Sequence, residues 1–234
     1  MKLPGSTTSG DTLLNEFGLY LYTRLSADQE LRDLASRWDG TQGRLKTRLE
    51  VQHKAHTGAM IALAQRDGEQ NLLSAAVRAL YGTLVSKTNN NRKSPLFSTY
   101  FPEGLGAMVN APVDQEALRV SVMVSKLGET QEPDLQAHLA PITAALNRLK
   151  ASLVAYKSAA ESYSQAHGLV EHEKKAWFDA YIFEHRTLSQ MFYQDAKKAD
   201  SYFKPSPRGV RVKASHALAV APPLPATAEK AATA

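Results

Sequence analysis

The one pair of residues spaced for metal chemistry in this sequence is Glu50-Val51-Gln52-His53. A Glu and a His three positions apart on a helix project side by side and can share one ion. A two-metal site needs a second such pair, and no other Glu precedes a His by three positions. Orientation also argues against the first pair. With Leu45 as zero and about 100° per residue, Leu49, Gln52, His56 and Leu63 fall within about 40° of one line, whereas Glu50 lies about 140° from it. Three histidines sit on apolar stripes instead. His56 has Gln52 one turn away, His185 lies beside Tyr181, Leu188 and Phe192, and His167 falls in a heptad seam. Neutral imidazoles that converge bind zinc, copper or iron. The ordinary reading is that each is satisfied by a carbonyl, tyrosine or glutamine. No cofactor or metal is expected; were there one, His56, His167 and His185 are the residues that would hold it.

Other chemistry finds less support. There is no G-x-S-x-G, no G-x-x-x-x-G-K-[ST] and no G-x-G-x-x-G. The absence of cysteine excludes thiolate nucleophiles, Cys-ligated metals and a disulfide framework. The chain therefore reads as non-enzymatic. Of the 234 residues 43% are apolar, enough to bury a core, yet no run approaches the roughly 18 apolar residues of a membrane span. The first residues have no signal-peptide character, so a cytoplasmic location is expected.

The elements that would position these residues are helical almost throughout, and the expected fold class is all-α: a bundle of elongated antiparallel helices with a shorter helix pair. After a flexible leader (1–10), helices are expected over about 11–38, 42–66, 70–86, 113–127, 133–167 and 169–201. Ser26-Ala27-Asp28-Gln29 resembles a capping box and offers a break in the first. Asp39-Gly40-Thr41 and Asp67-Gly68 read as stops, the latter because the Leu63 stripe continues onto Arg66, Asp67 and Gln70. From Leu135 the apolar spacing alternates four and three through Leu149, Tyr156 and Tyr163, and the same phase continues through His167, Val170, Trp177 and Leu188 to Met191. That pattern fits a hairpin turning at Gly168, which is preferred, or one helix of about 60 residues.

Two further segments bear on binding. The loop 88–112 is long and aromatic-rich. Phe97, Tyr100 and Phe101 would be either anchors for a partner or a cap folded over the bundle end. The tail 204–234 is Pro/Ala-rich and is read as disordered. It has five basic residues and one acid, whereas the preceding 203 residues have 23 basic and 22 acidic groups. The net charge of +5 is thus mostly tail charge, and Arg208, Arg211 and Lys213 are its interaction candidates. The leading expectation is a helical scaffold or adaptor that binds a protein partner or a second copy of itself. The alternatives are binding of nucleic acid or another acidic surface through the tail and helix 42–66, and a metal site built on the core histidines.

Overall fold

Apolar side chains recurring at steps of three and four along two long stretches are buried only when two helices lie lengthwise against each other. The computed structural model, which describes residues 3–5 and 7–205, has this arrangement. The rods are α3 (Arg32–Lys87) and α8 (Leu139–Met191), of 56 and 53 residues, each about 80 Å long at 1.5 Å per residue. Gln42 meets Trp177, Gln52 meets His167 and His56 meets Tyr163 across the seam. The two residue numbers add to 219 in each of these pairs, so the rods run antiparallel with no slip in register between them. The fold is all-α, and the described residues contain no strand.

Several expected boundaries are corrected. The stops at Asp39-Gly40-Thr41 and at Gly68 do not occur, so the separate helices 42–66 and 70–86 are parts of α3. The preferred hairpin at Gly168 is likewise overturned, because α8 runs straight through it. Gly40, Gly68 and Gly168 all face outward, with nothing within 4 Å of where a Cβ would sit. An interior glycine costs about 1 kcal/mol relative to alanine, less than a rod would lose by turning away from its partner. Two of the polar residues that looked like a failing stripe find partners on other helices: the Arg66 guanidinium lies 4.7 Å from the Tyr156 ring centroid on α8, and Gln70 donates to Glu116 at 2.8 Å.

The other elements flank the two ends. The first helix is not one piece to Trp38. It comprises α1 (Gly10–Thr12), a π turn (Leu13–Gly18) and α2 (Leu19–Ser26), and it breaks at the anticipated capping box. There Asp28 accepts from the Glu30 N–H, and a 3-10 turn (Gln29–Leu31) leads into α3. The loop 88–112 contains α4 (Pro95–Tyr100) and α5 (Gly104–Val109). Then come α6 (Val113–Glu129), α7 (Pro133–Gln136) and, after α8 ends at Met191, a short α9 (Ala196–Ser201) in place of helix to residue 201. Pro141 falls in the first turn of α8, where its missing N–H costs nothing. The leader is partly packed, since Pro4 is buried in a recess shared with Phe178 and Ile182.

These elements build two separate cores. The turn-end core joins Leu73–Leu84 of α3 and Ile142–Leu149 of α8 to α4, α5, α6 and α7. The terminal core joins Ala35–Leu49 and Val170–Leu188 to the N-terminal helix, α9 and Phe203. Neither core includes a residue from 50–72 or 154–169. Between them lies a waist of two helices.

Gly18 contrasts with the outward glycines. A Cβ there would sit 1.5 Å from the Gln42 amide, and its carbonyl accepts the Trp38 indole N–H at 2.9 Å. Gly68→Ala and Gly168→Ala should each raise stability by about 0.5–1 kcal/mol in chemical denaturation, while Gly18→Ala lowers it by about 1–3 kcal/mol. Destabilisation by both of the first two would contradict the continuous rods.

Candidate interaction surfaces

The waist is held by a polar seam. Gln52 donates from Nε2 to His167 Nδ1 at 2.8 Å, and the His56 ring lies 5.1 Å from that of Tyr163, which is 6.3 Å from His167. Only Ala62 and Ala166 are buried along this stretch. Large apolar side chains point away from the seam: Met60 is 50% exposed, Ile61 54% and Val154 69%. The third histidine stands elsewhere. His185 lies 18 residues beyond His167 on the same helix, about 27 Å away, where it bonds Asp200 at 3.0 Å and packs on Phe203. The three imidazoles therefore do not surround one point, and the described residues contain no group of three or more potential ligands placed to hold an ion.

The aromatic loop turns inward. Phe97, Tyr100 and Phe101 are all buried in the turn-end core, where Phe97 and Phe101 both meet the Tyr81 ring edge-on. As placed, they are a cap over the bundle end, not exposed anchors. A recess of about 170 Å³ lies beside them, between Tyr100, Met108, Val122 and Met123. Its two cations act as helix caps: Arg119 donates to the Ala107 carbonyl and Lys126 to the Thr99 carbonyl. Arg208, Arg211 and Lys213 lie outside the described residues.

Two buried carboxylates fasten the helices, one between the rods and one between α6 and α3. Glu184, 2% exposed, takes both Nε and Nη2 of Arg37 at 2.8 Å, and these hydrogen bonds hold the guanidinium pKa above its ordinary value against the opposing effect of burial. Glu116, fully buried at the start of α6, accepts from Ser74 at 2.7 Å and Gln70 at 2.8 Å.

The chain end closes the terminal core. Tyr202 donates to Asp28 at 2.8 Å and stacks on Phe192, while Phe203 sets its edge against Tyr181. Lys204 pairs with Glu16 and lies over the Phe17 ring. The expected helix stops at 201 and the expected disordered tail opens at Lys204, whereas Tyr202, Phe203 and Lys204 form a docked strap, for which two adjacent aromatics before a basic residue are the signal.

Burial first, and then the Asp28 carboxylate, push the Tyr202 hydroxyl up to about 12. Burial raises Tyr181 further; it makes no well-formed hydrogen bond among the described residues, and the Lys204 backbone offsets little of the effect. The Tyr202 hydroxyl in turn holds Asp28 below the usual carboxylate range, helped by the Glu30 backbone N–H.

No described helix is long and apolar enough to cross a membrane. No protein-family model matches the chain, and neither a curated protein nor a solved structure matches it.

The raised tyrosines give stability a definite pH dependence. Folded-state pKa values above the unfolded value of 10.0 mean the native chain holds more protons from about pH 10 upward, so stability falls as pH rises through that window. Trp38 and Trp177, both in the terminal core, should report this loss by fluorescence. Tyr181→Phe should move the midpoint to higher pH, and an unchanged midpoint would refute the assignment.

Proposed function

We propose that the protein is a non-enzymatic helical scaffold or adaptor, acting in the cytoplasm, whose contact surface for other chains is the two-helix waist. The simplest occupant is a second copy, whose own waist would complete a coiled-coil four-helix bundle. What supports this most directly is the exposure of Met60, Ile61 and Val154 on a stretch where only Ala62 and Ala166 are buried. Large apolar side chains left half open to water are candidate contact points for another chain. The unbroken register of α3 and α8 adds to this, because a stiff pair of rods presents a preformed surface and loses little entropy on binding.

Sedimentation velocity at tens of micromolar tests the reading. A dimer that Met60→Glu with Ile61→Glu converts to monomer is the expected outcome, with unchanged helicity by circular dichroism. A strictly monomeric wild type would remove self-association. Photo-crosslinking from Val51 in the native cell would then decide the adaptor reading, and no adduct with any protein would sink it.

A further inference from the structure

The recess at the turn end is independent of the waist. α4 and α5 are short, six residues each, and where α5 comes against α6 it contributes Gly104 and Ala107 to the recess wall. Side chains this small leave a space of about 170 Å³ unfilled. An apolar cavity of about 150 Å³ takes up benzene, so the space suits a body of about six carbons. Its floor is apolar: Tyr100, Met108 and Met123 are buried, and Val122 stands half exposed at the mouth. Two of these are methionines, whose unbranched side chains reshape around a guest at little cost.

The rim decides the charge of the guest. Arg119 is paired with Glu103 at 3.2 Å, so those two charges offset each other. Lys126 donates to the Thr99 carbonyl at 2.8 Å and makes no ion pair among the described residues. An ammonium carries three N–H donors, so the carbonyl holds it in place and leaves donors for an anion. A tethered side chain also loses less freedom on binding than a loose one. A neutral apolar guest would leave this charge unused, and a cationic guest would be repelled by it. One carboxylate on a short apolar body satisfies floor and rim together. We propose that this recess binds a small monocarboxylate with an apolar body of about six carbons. The body lies on Tyr100, Met108 and Met123, and the carboxylate pairs with Lys126.

The full chain has five methionines, of which Met108 and Met123 line the recess. With isotope-labelled methionine methyls, sodium hexanoate should shift the signals of these two, saturating in the millimolar range, and leave the other three in place. Hexylammonium, of the same length and opposite charge, should shift neither. Lys126→Gln keeps a donor for the Thr99 carbonyl and should weaken hexanoate by about fivefold, the scale of one exposed ion pair. Val122→Glu, at an exposed helix position, should weaken it at least as much by placing a like charge at the mouth, with helicity by circular dichroism unchanged in both variants. No shift of either methyl at about 20 mM hexanoate would overturn the proposal. So would equal shifts with hexylammonium, movement of all five signals, or an affinity indifferent to both substitutions.

Discussion

Everything in this molecule hangs on the register between α3 and α8. A seven-residue apolar repeat alone does not fix register, because a slip of one heptad leaves apolar side chains facing apolar side chains. The polar residues remove that freedom. A slip of seven would place Gln52 against Ala160 or Lys174 and strip the Trp177 indole of Gln42, its partner at 3.0 Å. An indole N–H left without a partner in a core costs about 1–3 kcal/mol. Gln52–His167 and Gln42–Trp177 thus do for alignment what buried polar residues do in other coiled coils, at some cost in burial.

The flanking elements inherit that alignment. Arg37–Glu184 ties the rods at the terminal end, and Glu116 with Ser74 and Gln70 seats α6 on α3 at the other. Each end is then completed by segments that the chain reaches late. At one end the inward aromatics Phe97 and Phe101 close over Tyr81, and at the other Tyr202 and Phe203 close over Phe192 and Tyr181. Neither core needs the other's side chains. The waist between them, with little buried beyond two alanines, is where local opening should be least costly.

Much of this was legible from spacing. The all-α class, the phase from Leu135 to Met191, and the capping signal at Ser26–Gln29 all follow from residue periodicity and end preferences. The errors share one cause. Gly40, Gly68 and Gly168 were read as stops because a glycine after an apolar stripe usually ends a helix, but local propensity of about 1 kcal/mol yields to a partner packed along the whole length. The polar stretch at Arg66–Gln70 misled for a related reason: Tyr156 and Glu116, distant in sequence, satisfy it. His56 and His167 do meet the partner rod, but at exposed positions and not in a core. Their partners depended on the antiparallel register, which composition does not encode. The strap at Tyr202–Lys204 was missed because its contacts reach back to Asp28 and Glu16.

The seven-residue period has a further consequence for how such a chain can vary. Deleting one heptad from each rod within the waist would bring the ends closer by about 10.5 Å and restore every facing pair outside the cut. A heptad added to both would lengthen it by the same step. The molecule is in that sense a ruler graduated in single repeats, with end pieces that are indifferent to the distance between them.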